Sequence, residues 1–339
     1  MSDPRKHHYV PVFYQKNFVN ASGLLWVYDR RLRTYKELHP RVICFETDLY
    51  TLKKQGAPSD RRIESLALAS VDGACATALR ELVPGKMPAD SSTFETIAYF
   101  AAIQHARGPS QRDFISMLYK NGIEELMRIT AANVDRMKSV MEQYRRDTGK
   151  TIDVSPESMV EAVHENHLEV VVNERPFIHH MFKQAESLSK LFFEALVWEI
   201  LVASAETGFI LCDDPVVIVP PKGVADVGFL VPASVKYVPL TRILCLRLGD
   251  FGQTFRYRSV DSKTVSVINQ NIAASSSRFI MGPVKEQLET IVLSSGSVDM
   301  DPRPRFTLET TEVTDDGSLQ KITQNPRKYF YLDNATQAP

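Results

Sequence analysis

Long hydrophobic runs are missing from this 339-residue chain. The longest, Ala195 to Ala205, is interrupted by Trp198-Glu199 and falls short of the roughly 18–20 apolar residues of a membrane span. No membrane is expected as a partner. Residues 1–20 hold no continuous apolar stretch, so no secretory leader is expected and the chain reads as cytoplasmic. Cysteine is scarce. Cys44, Cys75, Cys212 and Cys245 stand apart among apolar neighbours, with no CxxC pair. That spacing argues against a disulfide framework or a cysteine zinc site and suits reduced thiols in a core. No sign of charge dominates either: 40 basic residues meet 41 acidic ones, so bulk charge favours neither a nucleic-acid coat nor a membrane-surface protein. GxGxxG, GxxxxGK[ST], GxSxG and HExxH are absent. Their absence argues against a Rossmann nucleotide site, a P-loop, a hydrolase elbow and a zinc-protease helix.

What is present is the composition of a globular protein, 44% apolar and 24% charged, in a chain long enough for one large domain or two ordinary ones. Charge is uneven locally. Residues 1–62 carry 12 Lys or Arg against 6 Asp or Glu, which favours an anionic partner near that segment; ordinary solvated surface is the plainer reading. The opening, Lys6-His7-His8-Tyr9-Val10-Pro11-Val12-Phe13-Tyr14-Gln15-Lys16-Asn17-Phe18, is too apolar for a loose terminus and is expected to dock into the fold.

Leu24–Asp29 and Tyr35–Leu38 read as a hairpin across the basic turn at 30–33. From about 60 to 194 the pattern is helical. Ser92-Thr93-Phe94-Glu95 has the form of a capping box, and Ser155-Pro156-Glu157 starts a helix by cap, proline and first-turn acid. A helix from about 110 to 145 is expected to break near Asn121-Gly122, and another runs from Arg175-Pro176 to about Phe193. Strand-like segments follow, among them Ala195–Ser204, Gly208–Leu211 and Phe229–Val231, then a helix capped by Asp261. The expected class is α+β, a mixed or antiparallel sheet built from N- and C-terminal strands with a large helical insertion at about 60–194. Residues 1–293 are read as one domain. Residues 294–339 are a polar extension that contains a hairpin turn at Asp315-Asp316-Gly317.

Candidate chemistry starts with His7 and His8. Neighbours on a strand face opposite ways, so one imidazole would meet a pocket as general base or ligand, with Tyr14 beside it as a substrate contact; structural histidines are the alternative. Arg107-Gly108-Pro109-Ser110-Gln111-Arg112 joins two helices. Its two arginines beside a helix N-terminus would clamp an anion, or are simply exposed at a joint. Asp213 and Asp214 sit where one strand ends and the next begins, as metal ligands or as a turn. Asn269, in the helix after Asp261, is there for a buried hydrogen bond or a substrate. His164 and His167 would share a helix face, a geometry open to a metal and common by chance.

The opening His7-His8-Tyr9-Val10-Pro11-x-Phe13-Tyr14-x-x-Asn17-Phe18 resembles that of a mostly bacterial family catalogued only as a domain of unknown function. Its members begin HHYVPxFYxxNF and carry a later TSDNPV-like segment. Leu25–Asp29, Asp48-Leu49-Tyr50, Arg107-Gly108-Pro109, Phe209–Val216 and Asn269 are similar to further family features. Where the family has Thr-Ser-Asp-Asn-Pro, this chain has Leu211-Cys212-Asp213-Asp214-Pro215. The resemblance covers about residues 5–282 and implies no reaction. From residue types alone, the first expectation is a metal-dependent hydrolase or nuclease acting on a phosphate-containing substrate. His7, His8 and Asp213 would be catalytic, Asp213 and Asp214 would hold a divalent metal, and Tyr14, Arg107, Arg112 and Asn269 would bind substrate. The second is a non-catalytic module that recognises an anionic ligand or nucleic acid.

Overall fold

The computed structural model describes residues 5–54, 57–86, 88, 90–224, 228–252, 254–294, 306–313, 317–324 and 328–332. The N-terminal segment is docked, as its composition demands. β1 (Lys6–His8) is followed by the single-turn helix α1 (Val12–Gln15), the hairpin β2 (Leu25–Asp29) and β3 (Thr34–Leu38), and β4 (Phe45–Thr47). β1 pairs antiparallel with β4. Val10, Tyr14 and Phe18 are wholly buried. β5 (Leu52–Lys54) and β6 (Ala57–Asp60) form a small antiparallel pair before a π-helical stretch, Ile63–Leu68.

The helical middle comprises α2 (Ala69–Glu81), α3 (Ser92–Ala106), α4 (Pro109–Ala131), α5 (Val134–Thr148), α6 (Pro156–His164) and α7 (Arg175–Lys190). α3 is apolar nearly all round and lies at the centre, packed on α2 and α7. Its start differs from the expected capping box: the Glu95 amide donates to the Ser91 carbonyl (3.3 Å) and not to the Ser92 hydroxyl, and the Asp90 carboxylate accepts from the Ser92 amide. α4 runs straight through Asn121-Gly122. The break falls at Asn133, whose side chain accepts from the Asp135 and Arg136 amides and so caps α5. The Ser155 and Asp261 caps form as expected. His164 ends α6 and His167 lies beyond it, so they share no helix face.

The fold is α+β. β7 (Leu196–Val202), β8 (Leu211–Cys212), β9 (Val217–Val219), β10 (Val235–Pro239), β11 (Leu244–Phe251) and β12 (Phe255–Ser259) precede α8 (Ser262–Ser275), β13 (Phe279–Gly282) and α9 (Lys285–Ser294). Residues 229–231, read as a strand, form a turn. A mixed five-stranded sheet has the order β12-β7-β11-β10-β9, and a four-stranded sheet the order β3-β2-β13-β8. The second joins the N-terminal hairpin to the C-terminal strands β8 and β13, while β7 and β9–β12 build the first. β14 (Phe306–Val313) pairs antiparallel with β15 (Gly317–Gln324); Asp315-Asp316 lies outside the described residues. The main core draws on side chains from Tyr9 to Ile291, and all four cysteines are buried free thiols. Among the described residues no helix is long and apolar enough to cross a membrane.

Candidate functional site

The four-stranded sheet ends in a concentration of polar groups because three of its strands stop at one level. β2 finishes at Asp29, which is paired with Phe279 at the start of β13, and β8 gives way to Asp213, whose amide donates to the Phe279 carbonyl (3.1 Å). The Asp213 carboxylate then caps the turn into β13, accepting from the amides of Ser277 (2.8 Å) and Arg278 (2.7 Å). Burial pushes its carboxyl up to about 6, with Asp214 adding to the rise and the amides of residues 277–279 opposing it. Asp29 behaves oppositely. Burial raises it, but the Arg278 guanidinium (2.8 Å) and the amides of Arg31 and Leu32 outweigh that and hold it below the usual carboxylate range.

These groups border a cavity of about 1060 Å³. One wall is a face of the β2–β3 hairpin: Val27 and Asp29 from β2, with the alternate residues Thr34, Lys36 and Leu38 from β3. The opposite wall is the α3–α4 junction, with Gln104, His105, Ser110 and Gln111, extended by Phe114, Met117 and Asn121 along one face of α4. Residues 42–46 and Tyr9 close a third side. The Ser110 and Ser277 hydroxyls touch across the cavity edge (2.8 Å). His105 lies edge-on to Phe229, with Nε2 3.4 Å from the Gln111 amide nitrogen.

The expected site residues divide sharply in this frame. Asp213 and Asp214 line the cavity, and so does Tyr9 of the opening segment. The start of the chain and the aspartate turn therefore meet. The histidine rings do not join them. His7 is buried, stacked on Tyr50, with Nδ1 accepting from the Tyr50 amide (2.9 Å). His8 packs on Phe45 with Nε2 3.3 Å from the Arg41 carbonyl, so that nitrogen carries the proton; burial holds its pKa below the usual value.

The arginine clamp is corrected. Arg107 is fully buried, and its guanidinium donates to the carbonyls of Tyr9 (2.8 Å) and His8 (3.1 Å) and to Asp72 (3.0 Å). It grips the protein's own N-terminal strand. Arg112 pairs with Glu46 and Asp113. Tyr14 is a core residue whose hydroxyl donates to the Pro239 carbonyl, with its ring edge-on to Phe18 and Phe100. Asn269 joins α8 to the chain before β8, accepting from the Ile210 amide and donating to the Gly208 carbonyl (both 3.1 Å). None of these four side chains faces the cavity. Among the described residues no group of three or more His, Cys, Asp or Glu side chains is placed to hold a metal ion.

Sequence reasoning passed over three cavity residues. Arg31 and Lys36 lie on the hairpin face and are exposed, with no side-chain partner among the described residues. Gln104 is 2% exposed, and neither its amide nitrogen nor its amide oxygen has a partner among the described residues. A glutamine on the apolar stripe of α3 was the available signal.

The fold and site thus define an α+β protein with a cavity of mixed polar and apolar lining between a sheet end and a helical junction. The chain belongs to the family described as "Protein of unknown function (DUF4238)", which it matches over residues 6–286. No curated protein and no solved structure matches the chain.

Proposed function

We propose that this protein binds a small phosphate-bearing ligand in the cavity at the end of the four-stranded sheet. One observation carries the reading. Asp29 pairs with Arg278, and Glu46 and Asp113 share the single charge of Arg112; Asp213 and Asp214 also line the cavity, while Arg31 and Lys36 stand exposed on its hairpin wall with no side-chain partner among the described residues. Unpaired cations at the mouth of a concave site attract and orient an anion. The reading keeps the anionic ligand of the binding-module expectation and moves its contacts from Arg107 and Arg112 to the hairpin. Titration calorimetry with ribose 5-phosphate and pyrophosphate tests it. The Arg31→Ala/Lys36→Ala double variant should weaken binding roughly 10- to 100-fold, since a charge-assisted hydrogen bond is worth about 1.5–3 kcal/mol. Both side chains are exposed, so folding should be unaffected. Equal affinity for the double variant, or no binding of either compound to the wild type, would rule the reading out.

A second reading, hydrolysis of that ligand, is favoured by Asp213. A carboxylate raised to about 6 at a cavity wall is ionised at neutral pH yet basic enough to take a proton from water. Hydrolysis of a phosphate ester that is abolished in Asp213→Asn, while ligand binding survives, would establish it.

A further inference from the structure

The five-stranded sheet ends on an open edge. β12 pairs with β7 on one side, and among the described residues no strand pairs with it on the other. The Thr254 carbonyl accepts from the Trp198 amide, and the Val260 amide donates to the Val202 carbonyl. The even-numbered residues of β12 therefore turn their backbone groups toward β7. Phe255, Tyr257 and Ser259 turn theirs outward, because the N–H and C=O of a strand residue point to one side and successive residues alternate. Such a row of unpaired donors and acceptors is a template for another strand. Edges of this kind are often shielded by charged side chains. Here the charges reach the other way. Arg256 (2.7 Å) and Arg258 (3.6 Å) extend inward to Glu199 on β7, which Arg247 of β11 also meets (2.6 Å). The Glu199 side chain is 2% exposed, whereas those of Arg256 and Arg258 are 62% and 47% exposed. Burial raises the Glu199 carboxyl, but the three guanidiniums outweigh that and keep it ionised. One carboxylate thus meets three guanidiniums, and this face of the edge keeps a surplus of positive charge. The opposite face of β12 is aromatic: the Phe255 ring lies edge-on to Phe94 (4.4 Å) and to Tyr257 (5.4 Å). A strand added at this edge would lay its side chains alternately on the two faces. Acidic residues would meet Arg256 and Arg258, and apolar ones Phe255 and Tyr257.

We infer that β12 captures an extended segment of a partner protein in which acidic and apolar residues alternate, and adds it to the sheet as a further strand. No residue of β12 borders the cavity, so the inference stands apart from the phosphate reading. Fluorescence anisotropy of a labelled peptide, Thr-Val-Glu-Val-Glu-Val-Thr, titrated with the full chain tests it. Saturable binding in the micromolar range is expected. The same peptide with lysine in place of glutamate should bind roughly tenfold more weakly or worse. Two further forms keep every side chain, one N-methylated at the valines and the other at the glutamates. A strand pairs through one edge, on which only every second residue presents its amide. One form should therefore lose binding and the other retain it. Loss in the valine form reports antiparallel pairing, and loss in the glutamate form parallel pairing.

The Arg256→Gln/Arg258→Gln variant should bind the parent peptide roughly 10- to 100-fold more weakly, as the loss of charge-assisted contacts implies. Glu199 keeps Arg247 in that variant, so it should stay folded, and the comparison among peptides uses the wild-type protein in any case. Absence of binding by the parent peptide would overturn the inference. So would a lysine peptide that binds as tightly as the glutamate one, or a double variant that binds the parent peptide as the wild type does. N-methylated forms that both bind, or both fail, would overturn it too, because neither result comes from pairing along one edge.

Discussion

Arg107 shows at the scale of one residue why the sequence suggested a different site. Its type and setting, beside glycine, proline and a second arginine, are those of an anion clamp. Its partners are carbonyls nearly a hundred positions away, and no local pattern reveals them. The same holds for His7, whose Nδ1 is spent on a backbone amide. Removing the guanidinium should leave Asp72 and the His8 and Tyr9 carbonyls without their donor. Arg107→Met is expected to cost on the order of 3–5 kcal/mol in denaturant unfolding; a loss under about 1 kcal/mol would show that the buried network holds nothing. Glu64 belongs to the same neighbourhood. Burial pushes its carboxyl up to about 7, with the Arg107 guanidinium opposing. The folded protein therefore holds a proton that the unfolded chain has lost between about pH 4.5 and 7. Stability is highest on the acid side of that window and falls as pH rises through it. Asp213 acts with the same sign, between about 4 and 6. Thermal unfolding of Glu64→Gln should lose the decline above pH 6 and keep below it only the share that belongs to Asp213. An unchanged profile would mean that Glu64 titrates alike in both states.

Elements were legible where the signal is local and illegible where packing decides. The caps at Ser155 and Asp261 depend on a hydroxyl or carboxylate within three residues of the amide it accepts from, so sequence shows them. Gly122 costs a helix only about 1 kcal/mol relative to alanine. The first half of α4 recovers that by burying Ile115 and packing Phe114 and Leu118 on the main core, so the helix continues through the expected break. The cavity depends on β2, β8 and β13 meeting at one level, which is a matter of register, and Asp213 and Asp214 were the candidate residues readable from sequence. The chain entering β8 is the tightest point of this arrangement. A Cβ on Gly208 would lie 2.6 Å from Arg242 Cγ and 2.8 Å from the Arg242 carbonyl oxygen, and that oxygen already accepts from the Phe209 amide. Gly208→Ala should cost about 1–3 kcal/mol by overpacking. Asn269→Ala should cost a similar amount, because it leaves the buried Ile210 amide without its acceptor and takes from the Gly208 carbonyl one of its two donors, the other being Gln287. Chemical denaturation of the two variants checks both values. Neither change touches a cavity wall, so ligand affinity of the folded fraction should be unaltered.

Across the whole molecule the apolar contacts are unequally shared. The main core runs from Tyr9 to Ile291, whereas α5, α6 and the end of α4 meet in a separate small cluster of Ala131, Met137 and Val163, ringed by Met127, Met141, Met159 and Val160. Leu126, Ile129, Val140 and Tyr144 in this region stay exposed. Opening it uncovers little buried surface, so it should unfold locally well before the rest. Hydrogen exchange at neutral pH should show amides of α5 and α6 protected by only a few kcal/mol. Those of α3 and β7 should exchange through global opening, at roughly 5–15 kcal/mol. Equal protection across all four elements would mean that the small cluster is bound into the main cooperative unit. The boundary lies within α4, because Ser110, Phe114, Met117 and Asn121 line the cavity while Met127 belongs to the small cluster. A ligand in the cavity should therefore slow exchange in the first three turns of α4, at the end of α3 and at residues 277–279, and leave α5 and α6 as they were. Protection spreading into α5 and α6 instead would place the ligand on the helical arm and away from the sheet end.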